Sequence, residues 1–396
     1  MERIFIVGSC RTPIGKMGGA LSSLSAVELG AIVIHEALIR SGISADQVDH
    51  VFMGCVIQAG LGQNVARQAA LKAGLPVTTT AQTVNVVCGS GLDAINSAAQ
   101  MIRVNDADIV IAGGMESMSN APFAIMNGRY GYKMGSPMID SPLIDTMVKD
   151  ALWDAINDYH MGITAENVAA KWNINRQEND KFAAESQKKT KKAIEQDRFK
   201  DEIVPVMIKK KSTTVLVDLD ENPRPDVTEE SLAKLKPAFK ENGVITAGNS
   251  SAINDGAAAL ILISEKKAKE LNISPEAEWI GGALAGVEPS IMGIGPIEST
   301  RKLLKKLNMS IEEMDIIELN EAFAAQSIVV KRELNIPDSK LNVNGGAIAL
   351  GHPVGASGCR IVVTLINTMR QNNAKLGLAA LCIGGGMGCS VIIKRV

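Results

Sequence analysis

The chain has 396 residues, of which 46% are hydrophobic and 3% aromatic, with 36 glycines and a net charge of −2. This length indicates two or three domains, and the small residues favour a closely packed α/β protein over a β-sandwich. The balanced charge favours neither nucleic-acid binding nor attachment to an anionic membrane.

The first predicted element is a strand, because Ile-Phe-Ile-Val follows a charged start at the N-terminus. That apolar run is too short for the core of a signal peptide. The six cysteines are scattered without Cys-x-x-Cys spacing, which argues against a disulfide framework or a zinc site. We therefore expect a reduced, cytoplasmic protein without a bound metal.

A candidate nucleophile, Cys88, lies in residues 85–91, which read Asn-Val-Val-Cys-Gly-Ser-Gly between an apolar stretch and a helical pattern over residues 92–102. At such a strand-to-helix turn, backbone N–H groups and the positive helix end favour a thiolate. The flanking glycines let a substrate approach the backbone. The alternative is an inert cysteine, because free cysteines are usually buried.

The middle of the chain, residues 120–250, differs in character from the rest. Residues 128–145 combine Gly, Pro and Met without periodicity, which predicts a long protruding loop. Over residues 168–199, apolar spacing among many Lys, Glu and Gln predicts exposed amphipathic helices. This part is interpreted as an inserted lid or substrate-holding domain.

Two polar candidates follow in the second half of the chain. Asn320 comes directly after a predicted strand, Ile316–Leu319, where an amide can orient a water or donate to an oxyanion. His352 lies in residues 351–358, Gly-His-Pro-Val-Gly-Ala-Ser-Gly. Because Pro353 restricts the preceding residue to extended backbone, the imidazole is predicted to project from a turn.

A second thiol, Cys382, ends a short apolar run before Gly384, Gly385 and Gly386. Such a loop offers backbone N–H groups to an oxyanion. The alternative, a nucleotide-phosphate loop, is disfavoured because the run has no G-x-G-x-x-G pattern and opens no helix. Residues 376–393 carry no charge and approach the length of a membrane helix, but their glycines favour two buried strands around a glycine loop.

Several short segments occur twice in the same order. Residues 44–51 match residues 310–317, Ser90-Gly91 matches Ser357-Gly358, and residues 109–115 match residues 381–387. The order predicts an internal duplication of an α/β unit.

The motifs around Cys88, Asn320, His352 and Cys382, in this order along the whole chain, resemble the thiolase superfamily of condensing enzymes, and more narrowly its bacterial biosynthetic branch. The resemblance implies an α/β thiolase fold, with two duplicated βαβαβαββ halves in a five-layered α-β-α-β-α arrangement. It assigns residues 1–120 with 251–272 to the first half and residues 273–396 to the second. Residues 121–250 would form an inserted loop domain.

The resemblance also implies the reaction, a reversible condensation of two acetyl-CoA to acetoacetyl-CoA and CoA, with no further cofactor. Cys88 would take the acetyl group, with its pKa lowered by His352, and Cys382 would remove the α-proton of the second acetyl-CoA. Asn320, through a water, and His352 would form one oxyanion hole. The N–H groups of Cys88 and Gly384 would form the other.

Further matches concern the acyl pocket and the pantetheine and nucleotide parts of CoA. Ten residues carry them: Leu152, His160, Met161, Arg224, Ser231, Leu235, Ala247, Ser251, Met292 and Phe323. The pair His160-Met161 is typical of the short-chain biosynthetic branch. Residues 128–145 resemble the family's tetramerisation loop, so a homotetramer built as a dimer of dimers is expected, although some members stop at dimers.

Three other functions use part of this set of residues. Ketoacyl synthases share the fold and the nucleophilic cysteine but use two histidines, one of which is replaced here by Cys382. A non-catalytic acyl-CoA carrier would not need all four groups. A cysteine hydrolase requires a cysteine and a histidine, but hydrolysis gives no role to Cys382.

Overall fold

The structure is a computed structural model that describes residues 2–126, 128–131, 143–210 and 213–396. Its strands are β1 (Ile4–Arg11), β2 (Gly15–Lys16), β3 (His50–Gly54), β4 (Thr80–Val84), β5 (Ile109–Ser117), β6 (Phe123–Ile125), β7 (Leu143–Asp145), β8 (Trp153–Asp154), β9 (Tyr159–His160), β10 (Val206–Lys210), β11 (Thr213–Val217), β12 (Asn254–Ser264), β13 (Ala277–Gly286), β14 (Ile316–Leu319), β15 (Leu376–Ile383) and β16 (Met387–Arg395). Its α-helices are α1 (Ala26–Ser41), α2 (Val65–Lys72), α3 (Ser90–Arg103), α4 (Met161–Lys171), α5 (Arg176–Glu195), α6 (Glu229–Ala233), α7 (Glu265–Glu270), α8 (Gly295–Leu307), α9 (Ala324–Glu333), α10 (Ala347–Leu350) and α11 (Val354–Gln371).

The main sheet contains two halves. In the first half the strand order is β4-β3-β5-β12-β1, and in the second it is β13-β16-β15-β14. The halves join through a short antiparallel pairing of Phe5 with Glu278 and of Ile6 with Ala277. In each half the strand that precedes a candidate site residue is parallel to its neighbour, as β3 is to β4 and β14 is to β15.

Helices cover both outer faces of these halves and fill the space between them. Helices α1 and α2 pack on the first half, and α8 packs on the outer face of the second. Helices α3 and α11 lie between the halves and contact strands of both. This arrangement confirms the predicted five-layered α-β-α-β-α fold.

The two central helices approach each other most closely at glycines. A Cβ atom on Gly358 would lie 2.3 Å from the backbone nitrogen of Leu92, and one on Gly91 would lie 2.8 Å from that of Cys359. Only glycine leaves room for this backbone contact. Since Ser90-Gly91 and Ser357-Gly358 are matched segments, the contact brings equivalent ends of the two halves together.

The predicted duplication is confirmed by a second pair of matched segments. A capping turn precedes β3, where the backbone N–H of Ser44 donates to Gln47 Oε1 at 3.2 Å. The equivalent turn precedes β14, where the N–H of Ser310 donates to Glu313 Oε1 at 2.7 Å. Both turns use the same capping-box chemistry.

The segment inserted in the first half, between β5 and β12, contains among its described residues α4, α5 and α6 and three two-stranded hairpins, β6–β7, β8–β9 and β10–β11. The predicted protruding loop, residues 128–145, follows β6 and includes β7 at its end, and its residues 132–142 are outside the described residues. The uncharged residues 376–393 form β15 and most of β16, as predicted. Within the described parts of the chain, no helix combines the length and apolarity needed to cross a membrane.

Candidate active site

Cys88 lies on a strained turn between β4 and α3. Val87 has a φ of 46°, a left-handed conformation that is costly for a β-branched residue. The hydroxyl of Ser90 holds the turn, because it accepts from the N–H of Val86 at 2.9 Å and donates to the carbonyl of Val87 at 2.6 Å. The strain therefore occurs next to the candidate nucleophile and is stabilised by the start of α3.

The Cys88 side chain is half-buried. Burial raises the pKa of its thiol to about 11, although a hydrogen bond from the backbone N–H of Gly384 acts in the opposite direction. The sequence predicts a lowered pKa here, and that prediction is wrong for the free protein. Removal of the sulfur from water outweighs the backbone N–H groups, so the resting group is a thiol.

His352 is buried between α10 and α11, and its ring is oriented by Ser357. Nδ1 lies 2.5 Å from the Ser357 hydroxyl, which donates its own proton to the carbonyl of Pro353 at 2.8 Å. The Ser357 oxygen must then accept from Nδ1–H, which leaves a lone pair on Nε2. The backbone N–H of His352 donates to Asn254 Oδ1 at 3.0 Å.

The imidazole of His352 is held neutral by its surroundings. Burial lowers its pKa to about 3, and the positive charge of Arg360 adds to this effect. The resting site therefore contains a thiol and a neutral imidazole rather than a thiolate–imidazolium pair. A neutral imidazole with a free lone pair can take the thiol proton when the sulfur attacks a substrate.

Asn320 follows β14 directly and is fully buried. Its Nδ2 lies 3.5 Å from Nε2 of His352, and its Oδ1 accepts from Nη2 of Arg360 at 3.4 Å. The structure thus pairs the amide and the imidazole, as the sequence predicts for two groups that share one oxyanion.

Cys382 ends β15, and the turn to β16 carries it toward Cys88. Gly385 and Gly386 have φ values of 87° and 89°, which glycine adopts readily. Burial raises the pKa of the Cys382 thiol, and the neighbouring Cys88 raises it further. Together with the Gly384 N–H on the Cys88 sulfur, this electrostatic interaction indicates that the hairpin turn brings the two thiols together.

Apolar residues close the space around these groups. Leu152 packs in the same apolar cluster as Cys88. The sulfur of Met161 lies 3.7 Å from the position that a Cβ on Gly384 would occupy. A second cluster contains four predicted site residues: Met161, Met292, Phe323 and Cys382. The predicted acyl-pocket residues therefore lie around both thiols.

His160 takes part in an aromatic chain that the sequence does not predict. Its ring stacks on Phe239 with centroids 4.7 Å apart and planes at 18°. Phe239 meets Phe323 edge-on at 6.2 Å and 86°. A Cβ on Gly162 would lie 2.2 Å from the Phe239 ring, so this glycine admits the ring.

The residues predicted to contact the outer parts of CoA lie nearer the surface. A cavity of about 50 Å³ is lined in part by Arg224, Leu235 and Ala247. Ser231 is exposed in the first turn of α6. The N–H of Ser251 donates to the carbonyl of Ala322 at 2.9 Å, and Ser250 bridges to Phe323. The segment that contains Ala247 and Ser251 therefore links the surface cavity to the apolar pocket.

Several supporting residues were not predicted as site residues. Glu116 accepts from the N–H groups of Val56, Ile57 and Gly355 at 3.0, 3.1 and 2.8 Å and so fixes the start of α11. Arg360 is one helical turn beyond Ser357, so spacing on α11 could have indicated it. For Phe239 the sequence contains no comparable signal.

Among the described residues, no group of three or more His, Cys, Asp or Glu side chains is arranged to hold a metal ion. All six cysteines lie in the described part of the chain, and all are free thiols.

The sequence and the structure are similar to those of known thiolases and acetyltransferases. Residues 4–266 match the family model "Thiolase, N-terminal domain", and residues 273–395 match "Thiolase, C-terminal domain". An acetyl-CoA acetyltransferase of Syntrophomonas wolfei is 54% identical over 397 residues, covering 100% of each chain. One of Pseudomonas aeruginosa is 53% identical over 396 residues, with the same coverage.

Solved structures give the same result. The Bacillus anthracis acetyl-CoA acetyltransferase superposes with a TM-score of 0.97 and 44% identity, over 100% of this chain and 99% of that chain. Human mitochondrial 3-ketoacyl-CoA thiolase in complex with CoA superposes with a TM-score of 0.95 and 42% sequence identity. The match covers 100% of this chain and 98% of that chain. Matches of this extent and identity, on the fold described above, show that the chain belongs to the thiolase family.

Proposed function

We propose that this protein is an acetyl-CoA C-acetyltransferase, which condenses two acetyl-CoA to acetoacetyl-CoA and CoA and catalyses the reverse thiolysis. The names of its relatives support this assignment. The observation that carries it is the grouping of two non-redox thiols with a neutral imidazole and an amide. Carbon–carbon bond formation on a thioester needs both an acyl-accepting thiol and a separate base.

In the first half-reaction the Cys88 sulfur attacks the acetyl thioester while Nε2 of His352 takes the thiol proton. The tetrahedral oxyanion is stabilised by the N–H groups of Cys88 and Gly384. When the carbon–sulfur bond to CoA breaks, Cys382 gives its proton to the departing sulfur. Its raised pKa supports this step, since Cys382 starts as a thiol. The products are acetyl-Cys88, CoA and a Cys382 thiolate.

In the second half-reaction the Cys382 thiolate removes the α-proton of a second acetyl-CoA. The enolate oxygen is held by the Asn320 amide, through a water, and by the protonated His352. The enolate carbon attacks acetyl-Cys88, and the released Cys88 sulfur recovers its proton from His352. Each residue regains its starting protonation, because the proton that Cys382 gives to CoA is replaced by the α-proton of the second acetyl-CoA. The scheme is ping-pong because the first CoA leaves before the second acetyl-CoA reacts.

The substrate path follows the exposure of the predicted binding residues. The exposed Arg224 suits a CoA phosphate. Ser231, Leu235 and Ala247 would surround the nucleotide and pantetheine, while the buried Met161 would face the acetyl end. No cofactor is required beyond the CoA thioesters, because side chains supply the nucleophile and the base.

The proposal also covers the cellular compartment of the protein and its oligomeric state. Six free thiols fit a reducing compartment, so we assign the protein to the cytoplasm. We expect a homotetramer, a dimer of dimers, on the resemblance of residues 128–145 to a tetramerisation loop. Analytical ultracentrifugation of the full chain checks the assembly, and a dimer would contradict it.

The activity test is incubation of the purified protein with acetyl-CoA while acetoacetyl-CoA, CoA and acetate are measured separately. The proposal predicts acetoacetyl-CoA and CoA in equal amounts, and rapid cleavage of added acetoacetyl-CoA by CoA. Acetate with CoA would indicate a hydrolase. Binding without any product would indicate a carrier.

A further inference from the structure

We propose that Arg360 is a positioning residue of the active site, which fixes the Asn320 amide so that Nδ2 faces His352 and the water through which it would hold the enolate oxygen. The inference rests on the proposed function, because it concerns the group that stabilises the enolate. Arg360 lies on α11, outside every motif that predicts the site.

The guanidinium determines which end of the amide faces it. Arg360 Nη2 lies 3.4 Å from Asn320 Oδ1. A guanidinium has only donors, so the atom that faces it must be the amide oxygen. An asparagine without such a neighbour can exchange its oxygen and nitrogen by a half-turn of the amide.

His352, on the side of the Asn320 amide opposite Arg360, favours the same orientation of the amide. His352 presents the Nε2 lone pair, because its Nδ1–H is used on Ser357. Asn320 Nδ2 faces that lone pair at 3.5 Å. A flipped amide would place two acceptors together at His352 and two donors together at Arg360. The donor of Asn320 is therefore held in advance where a substrate oxygen would enter.

Hydrogen bonds among the described residues do not account for the burial of Arg360. Its side chain is buried, and its Nε and Nη1 have no hydrogen-bond partner among the described residues. Glu318 attracts it through space, but both oxygens of that carboxylate also lack a described hydrogen-bond partner. A buried cation with so few contacts is costly. Arg11 provides the contrast, since it forms short salt bridges to Glu202 and Asp220.

The charge of Arg360 also acts on the imidazole. Together with burial it lowers the pKa of His352, and so keeps the Nε2 lone pair free to receive the Asn320 donor. Both effects of Arg360 therefore act on the pair of groups that would hold the enolate oxygen.

Measuring the two half-reactions separately distinguishes a positioning role of Arg360 from a purely structural one. For Arg360→Met we expect at least a tenfold loss in condensation and in α-proton exchange of acetyl-CoA, measured in deuterated water. The burst of CoA release that accompanies acetylation of Cys88 should fall far less, since it uses the N–H groups of Cys88 and Gly384. Arg360→Lys, which keeps one donor and the charge, should recover part of the loss.

Two controls make the test decisive. Arg11→Lys disturbs another buried arginine and should lower both half-reactions together, in proportion to the folded fraction. In an Asn320→Ala background, Arg360→Lys should have no further effect on proton exchange. Equal losses in both half-reactions of Arg360→Met would overturn the proposal. So would an Arg360→Lys effect of the same size in the Asn320→Ala background as in the unaltered protein. The second comparison does not use Arg360→Met, so it tests the proposal even if that variant does not fold. Absence of condensation in the unaltered protein would instead refute the proposed function.

Discussion

At the scale of single residues, burial sets the resting protonation of the active site. It raises the pKa of the Cys88 thiol to about 11 and, with the charge of Arg360, lowers that of His352 to about 3. Here the proton is expected to move only when the sulfur meets an acyl carbon, so the free enzyme carries no exposed, reactive thiolate.

Because of His352, the free energy of unfolding should decrease as the pH is lowered. Its folded pKa lies below the value of about 6.5 in an unfolded chain, so the unfolded state binds more protons as pH falls. Stability is retained above pH ~6.5 and declines toward pH ~3, with a loss near 2 kcal/mol (about 1.4 kcal/mol per pH unit) between pH 7 and pH 5.

Urea unfolding at pH 7 and pH 5 measures this contribution. His352→Gln should reduce the difference between the two pH values by about 2 kcal/mol. His35→Gln, on α1 outside the site, is measured beside it as the matched substitution. An unchanged difference in His352→Gln would contradict the assigned environment of the imidazole.

The sequence predicts those site residues that local turns position, and it does not predict those that tertiary contacts position. Cys88 and Asn320 follow strands, Cys382 lies near the end of one, and His352 lies in the turn between α10 and α11. Glycines and prolines in the sequence reveal turns of this kind. The raised pKa of Cys88 could not be predicted, because local turn geometry says nothing about removal from water. The position of Arg360 one helical turn beyond Ser357 could have been predicted from the sequence, but its contact with Asn320 could not, because that contact joins distant parts of the chain.

At the scale of elements, the crossing of α3 and α11 determines how the two halves meet. The composition predicts close packing of small residues, but not which glycines make the contact. The repeat of Ser-Gly pairs marks the two helix starts, and the structure brings these starts together. Because Cys88 and His352 lie just before these helices, the crossing also positions the site.

Gly358→Ala tests this crossing. Alanine would favour the helix by roughly 1 kcal/mol, but its Cβ would lie 2.3 Å from the backbone nitrogen of Leu92. We expect net destabilisation of about 1–3 kcal/mol and lower activity, because backbone cannot move aside cheaply. Gly286→Ala, whose Cβ would meet nothing closer than 4.0 Å, is the control in denaturant unfolding. Equal stability of the two variants would count against a fixed crossing.

At the scale of the whole molecule, different parts of the fold hold the reacting groups and form the substrate pocket. The central layers hold the thiols and polar groups, while the apolar pocket is formed jointly by the segment inserted in the first half and by residues of the second half. The halves and their duplication could be predicted from matched segments. The aromatic chain from His160 through Phe239 to Phe323 could not, because it joins distant parts of the chain.

The pocket should restrict the length of the acyl group. Leu152 packs in the same apolar cluster as Cys88, and Met161 and Met292 pack in the same cluster as Cys382, so we expect these side chains to limit the space beyond an acetyl methyl. Each misplaced methylene costs roughly 1–3 kcal/mol, so acetoacetyl-CoA should be cleaved at least ~10-fold better than the six-carbon 3-ketoacyl-CoA. Thiolysis kcat/KM across a chain-length series measures this. Comparable values would mean that the pocket is open at its end.

The central claim is that Cys88 carries the acetyl group while Cys382 handles the proton. The most direct measurement is peptide mass mapping after incubation with labelled acetyl-CoA, on the unaltered protein and on Cys382→Ser. We predict acetyl on Cys88 in both, formed more slowly in Cys382→Ser. The same variant should lose α-proton exchange and condensation by ~10²–10⁴-fold. Label on Cys382, or condensation by Cys382→Ser at the unaltered rate, would contradict the account.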